Sequence, residues 1–81
     1  MNKPIAVLGV KRELIHEWIM KHFYVIRYNK QNLTYYDNRG QEFRIILNID
    51  QARGMEFSGC LLTTSTNISF ELIDFVQGRI R

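Results

Sequence analysis

Cysteine, proline and long apolar runs are scarce in this chain, and each shortage closes off a class of protein. Cys60 is the single cysteine among 81 residues. No internal disulfide can form, which excludes a disulfide-stapled secreted scaffold and makes a reducing cytoplasm the expected setting. The single proline, Pro4, leaves no proline-rich linker to divide the chain, and there are no repeats or low-complexity segments. No apolar stretch approaches the roughly 20 residues that cross a bilayer, so no membrane partner is expected. The opening MNKPIAVLGVKREL returns to charged residues too soon for a secretory signal. Neither sign of charge dominates: 11 Lys and Arg stand against 8 Asp and Glu, a net charge of +3. Seven of those cations are Arg, the type suited to bidentate contacts with phosphate or carboxylate and to stacking. They are scattered along the chain, whereas a dedicated nucleic-acid footprint clusters its charge.

What remains is the composition of one small globular domain. Hydrophobic residues make up 46% of the chain, with five Phe, four Tyr and one Trp, enough large side chains for a small core. Residues 1–81 are expected to form a single α/β domain. After Pro4, IAVLGV (5–10) is a continuous apolar run, the pattern of a strand covered on both faces and central in its sheet. KRELIHEWIMKHF (11–23) places Leu14, Ile15, Trp18, Ile19 and Phe23 at helical spacing, with Glu17 and Lys21 as a favourable i, i+4 pair. YVIRY (24–28) is then expected to be a second strand, parallel to the first through a right-handed crossover.

The middle of the chain changes pattern. Two β-prone runs flank Asp37-Asn38-Arg39-Gly40, a hairpin turn in which Gly40 supplies the positive φ. Leu33 and Tyr35 alternate with Thr34 and Tyr36, and Phe43, Ile45, Leu47 and Ile49 share a face. Residues 50–56 read as a loop or broken turn, and 57–64 as a short strand. Residues 66–81 read as a second amphipathic helix striped by Ile68, Leu72, Ile73, Val76 and Ile80. Asn67 or Ser69 is its expected N-cap, and Arg79 and Arg81 sit where the helix dipole favours cations. The expected fold is α/β, a small mixed sheet in the order β-α-β-β-β-β-α with two amphipathic helices packed on it.

Several places could carry chemistry, and each has a plain structural alternative. Gly9 ends a buried strand just before a helix, and Lys11 and Arg12 at that helix start call for a negative neighbour. A ligand phosphate would serve, and so would Glu13. A triphosphate loop of the Gly-x-x-x-x-Gly-Lys-Ser/Thr type is incomplete, because LGVKREL lacks the second Gly and the hydroxyl. His16 and His22 do not share a helix face, and with one thiol there is no metal set at diagnostic spacing. Neither metal nor cofactor is expected. Cys60, between Gly59 and Leu61, reads as a small hydrophobe in a strand. Asp50 follows a long strand but has no carboxylate partner at a suggestive spacing. The mixture FYVIRYNKQNLTYYDNRGQEFR (23–44) makes the strongest binding argument. Tyr24, Tyr28, Tyr35 and Tyr36 with Arg27, Lys30, Arg39 and Arg44 could form a stacking surface with phosphate partners, although Tyr is at home in any strand. Lys11, Arg12, Arg27, Tyr28, Tyr35, Tyr36, Arg39, Arg44 and Arg53 are therefore the candidate anion- or nucleic-acid-binding residues.

ARGMEFSGCLLT followed by NISFELIDFVQGRIR resembles a segment of P-loop (RecA-like) NTPase folds, including small phage-encoded ones. In those folds an Arg-Gly-x-x-Phe-Asp segment leads into a buried strand ending in the Walker B acids. Arg53, Gly54 and Phe57 match, Ser58 stands where the family has Asp, and LLTTST (61–66) carries hydroxyls in place of the acids. The resemblance covers roughly residues 43–81 and implies a scaffold of that type without its hydrolytic residues. In that setting the Arg-Gly pair is structural, with Gly54 permitting a tight loop and Phe57 anchoring it. By association, a small phage accessory protein acting on a host enzyme in the host cytoplasm is implied.

No complete catalytic constellation emerges. The expected activity is therefore non-enzymatic binding through protein–protein contact, with Tyr, Trp and Arg at the interface. Nucleic-acid binding on a Tyr/Arg sheet surface is the alternative. An unsatisfied apolar strand edge would also favour a homodimer.

Overall fold

The run Ile5–Leu8 forms strand β1, and its alternate residues enter two separate cores. The computed structural model of the chain describes residues 3–81. After β1 come helix α1 (Arg12–His22), strands β2 (Val25–Asn29), β3 (Thr34–Asp37) and β4 (Glu42–Ile46), a four-residue helix α2 (Ile49–Ala52), strand β5 (Gly59–Leu62) and helix α3 (Phe70–Gln77). The five strands make one mixed sheet in the order β2-β3-β4-β1-β5. β1 runs parallel to β4, with Ile5 opposite Phe43 and Leu8 opposite Ile46, and parallel to β5, with Ile5 opposite Gly59. The β2–β3 and β3–β4 pairs are antiparallel. The α/β fold and its element order match the sequence pattern, with α2 as an addition.

Ala6, Val7 and Leu8 are fully buried because β1 is covered on both sides. Val7 meets Ile15 and Ile19 of α1 together with Tyr35, Phe43 and Ile45. Ala6 and Leu8 face the opposite way, onto Ile46, Ala52, Phe57, Leu72 and Val76 under α2 and α3. The period-two alternation of a strand thus divides one apolar run between two layers of helix.

β2 departs from expectation. It lies at the far edge of the sheet, antiparallel to β3, and not beside β1. The cause is local. The Asn29 carboxamide oxygen accepts the backbone N–H groups of Gln31 and Asn32 at 2.9 and 3.2 Å, and Leu33 takes a left-handed φ of 57°, so the chain reverses at once. The strand beside β1 supplies buried apolar residues to both cores. Phe43, Ile45 and Ile46 do so, and Arg27 and Asn29 do not.

Two further elements differ from the sequence reading. Part of the expected loop 50–56 is α2, capped by the Asn48 side chain, which accepts the N–H of Gln51 at 3.1 Å; the Gln51 side chain in turn accepts the N–H of Leu47 at 2.6 Å. The last helix covers 70–77 and not 66–81. Ser69 is its N-cap, accepting the N–H of Leu72, whereas Asn67 sits earlier at a φ of 65°. Beyond the helix, residues 79–81 run alongside Phe57. The Phe57 N–H donates to Arg79 and the Phe57 carbonyl accepts from Arg81, at 2.9 and 3.0 Å. The Arg81 guanidinium donates to the Gly78 carbonyl at 2.7 Å, answering the helix end.

Candidate docking edge and polar sheet face

Strand β2 gives the molecule an edge that no other strand among the described residues covers. Such an edge presents a row of backbone donors and acceptors to any extended chain that approaches. Three large side chains are left in solvent along it: Tyr24 is 74% exposed, Ile26 63% and Tyr28 46%. The register shifts between Val25 and Arg27, so Ile26 bulges outward from the β3 ladder. The adjoining hairpin is firmly built. Asp37 is almost fully buried, and its Oδ1 accepts the N–H groups of Arg39 and Gln41, both at 2.9 Å. Gly40 supplies the turn's positive φ of 83°.

The face that α2 and α3 cover over β1 and β5 continues, polar, across β2, β3 and the start of β4. A shallow groove of about 600 Å³ lies there, lined by Arg27, Tyr28, Asn29, Asn32, Thr34, Tyr36 and Arg44. The Arg27 guanidinium stands 4.4 Å over the Tyr36 ring, a cation–π contact. Arg44 Nη2 is 3.1 Å from Glu42 Oε2, so a carboxylate already answers this cation, while Arg44 Nε is enclosed without a hydrogen-bond partner.

The nine candidate binding residues therefore do not form one surface. Arg27, Tyr28, Tyr36 and Arg44 come together at the groove, although the Tyr28 ring turns to the other face, toward His16 and Tyr35. Tyr35, expected to stack in the open, is only 1% exposed beneath α1. Its hydroxyl is hydrogen-bonded to His16 Nδ1 at 2.6 Å, and Tyr28 stacks on it with centroids 5.6 Å apart. Both rings lie on the face opposite Tyr36 because successive strand residues alternate. Burial, with a smaller contribution from Glu13, pushes the Tyr35 phenol from its ordinary 10.0 up to about 12. Lys11 is the N-cap residue of α1 without a side-chain cap bond, and Arg12 lies 3.7 Å from Glu13. Glu13 is thus the negative neighbour that this helix start required, and it also receives Lys30 at 3.5 Å. Arg39 projects from the hairpin turn, 81% exposed, 3.7 Å from Asp37. Arg53 pairs with Asp50 at 3.0 Å, next to Gly54 at a φ of 77° and to the fully buried Phe57.

The remaining reactive types are kept apart. Cys60 is half-buried against the α3-side core, where burial pushes its thiol pKa up, and His16 lies across the sheet on the α1 side. His22 stacks on Trp18 at 4.3 Å and is bonded through Nδ1 to the Trp18 carbonyl. Among the described residues no group of three His, Cys, Asp or Glu is placed to hold a metal ion. No helix among them is long and apolar enough to cross a membrane. A second, smaller hollow of about 170 Å³ opens at the carboxyl ends of β1 and β5, between Val10, Leu14 and Trp18 on one side and Thr63, Thr64 and Asn67 on the other. Ile26 and Tyr24 carry the edge's apolar exposure, yet only Tyr24 stood out in the sequence. A strand whose apolar residues fail to alternate, as in Tyr24-Val25-Ile26, was the available sign.

No protein family, curated protein or solved structure matches the chain.

Proposed function

We propose that this protein is a small non-enzymatic binding protein that works by protein–protein contact, with the β2 edge as its contact surface. The observation that carries this reading is the exposure of Tyr24, Ile26 and Tyr28 along a strand with a free side. Leaving Ile26 largely in water forgoes up to about 3 kcal/mol relative to burial, and aromatic residues dominate interface energetics. The placement of Cys60 and His16 on opposite faces of the sheet supports contact over nucleophilic chemistry. The finer part of the proposal is a phage-encoded accessory protein that modulates a host enzyme in the cytoplasm, with kinship to P-loop folds surviving as scaffold alone. Pull-down from bacterial lysates tests the reading. A stoichiometric protein partner is expected with the natural chain and is lost when Tyr24→Ser and Ile26→Thr are combined. Recovery of no such partner across several hosts, or a partner indifferent to both substitutions, contradicts it.

One observation favours a second reading. Arg27 stacked on Tyr36 beside Arg44 is an arrangement that a nucleobase and its phosphate could use. Glu42 opposes it by occupying Arg44. Fluorescence anisotropy with single- and double-stranded oligonucleotides decides the matter. Binding that weakens steeply with salt supports nucleic-acid recognition, and a flat titration removes it.

A further inference from the structure

Resting on the protein-contact reading, we infer that β2 receives an extended segment of a partner protein in which apolar and acidic residues alternate, added to the sheet as a new edge strand. An added strand presents alternate side chains to the two faces of the sheet it joins. On one face it meets Tyr28, stacked on Tyr35. On the other it meets Arg27 and Asn29 beside the polar groove. The first face asks for apolar residues and the second for a partner to an exposed cation.

Charge settles the sign. Arg27 is exposed, and among the described residues no carboxylate forms an ion pair with it. Lys30 extends the positive character beyond one end of β2, moderated by Glu13. At the other end the Asn38 N–H donates to the Tyr24 carbonyl at 3.0 Å, which brings the hairpin turn and its exposed Arg39 alongside. Asp37, its own side chain only 3% exposed, offsets part of the Arg39 charge from 3.7 Å. A second copy of the chain is the poorer occupant. Antiparallel self-pairing along β2 would bring the cations of both copies together, and like charges opposed across strands destabilise the pair. Nucleic acid would use the polar face and gain nothing from the backbone groups of the edge.

The full chain, labelled with nitrogen-15, is titrated with four probes of about eight units, a typical strand length. These are a peptide alternating Val and Glu, one alternating Val and Lys, the Val/Glu peptide with internal prolines that cannot donate to a ladder, and oligothymidine. The Val/Glu peptide is expected to shift the backbone amides of residues 24–29. The Val/Lys and proline peptides should bind at least about tenfold more weakly. Arg27→Glu, at an exposed position, should fold normally and exchange the preference, taking Val/Lys over Val/Glu. Equal binding of Val/Lys at the same amides overturns the acidic chemistry and leaves the docking edge standing. Equal binding of the proline peptide overturns strand addition. Tighter binding of oligothymidine, or shifts that grow with protein concentration alone, assigns the edge to nucleic acid or to a second copy. If no probe moves residues 24–29, this inference and the β2 contact reading fall together.

Discussion

At the scale of single residues, Gly9 and Tyr35 show how tightly the core fixes chemistry that looked open in the sequence. A Cβ on Gly9 would lie 2.5 Å from both Ile15 Cγ1 and Thr63 Oγ1. Ile15 is fully buried and cannot step aside. Gly9→Ala is therefore expected to destabilise the fold by about 1–3 kcal/mol through overpacking. Urea unfolding measures this loss, and adding Thr63→Ala should recover part of it, since the two sites share a contact. The glycine that resembled part of a phosphate loop is explained by close approach of β1, α1 and the segment after β5. Tyr35 gives a pH signature. Its folded phenol keeps its proton to about 12, whereas the unfolded one releases it near 10.0. The unfolded state thus binds fewer protons above pH 10, and stability conferred by this group is complete below that value and lost as pH rises toward 12. Tyr35→Phe should flatten that alkaline decline, at a cost near neutrality of about 1 kcal/mol for the lost hydrogen bond to His16. Denaturation curves collected across the alkaline range would show both effects.

At the scale of elements, caps and faces explain what was legible. β1 and α1 announce themselves because an apolar run and an i, i+4 stripe have few other uses. The hairpin was equally plain, since Asp37 and Gly40 each have a turn role that few residues fill. α2 was missed although Asn48 and Gln51 stand at capping-box spacing, because four residues are too few for periodicity to register. The pairing of β2 was misjudged because its partner depends on the Asn29–Leu33 reversal, and sheet neighbours are set by tertiary packing. The candidate site was only partly readable. Sequence put Tyr28, Tyr35, Tyr36 and Arg27 within reach of one another, but the strand period sends Tyr35 and Tyr36 to opposite faces, and no register was available to say which face lay open. Ser69→Ala should cost α3 about 1 kcal/mol through loss of its cap, visible as a lower unfolding midpoint. The β2 edge should be unaffected, because α3 packs against α2 and β5, at the far end of the sheet from β2.

At the scale of the whole molecule, the sheet is asymmetric in its protection. β1 and β4 are held between helices, β5 is the second edge with its residues half-buried and Leu62 exposed, and β2 and β3 extend beyond the α2–α3 layer to an edge that carries Tyr24, Ile26 and Tyr28. In place of the homodimer that an open strand edge suggests, like charges along that edge would oppose self-pairing. Sedimentation at low salt is therefore expected to give a monomer, with association appearing only as added salt screens Arg27, Lys30 and Arg39. A dimer that tightens at low salt would contradict this electrostatic account. The same asymmetry predicts where a partner protects the chain. Hydrogen–deuterium exchange of the complex with a captured partner tests the central claim most directly. Residues 24–29 should slow markedly on binding while the amides of β5 and of the 63–67 segment keep their free-state rates. Protection confined to β5 or to the hollow at the carboxyl ends of β1 and β5, with residues 24–29 unchanged, would contradict it.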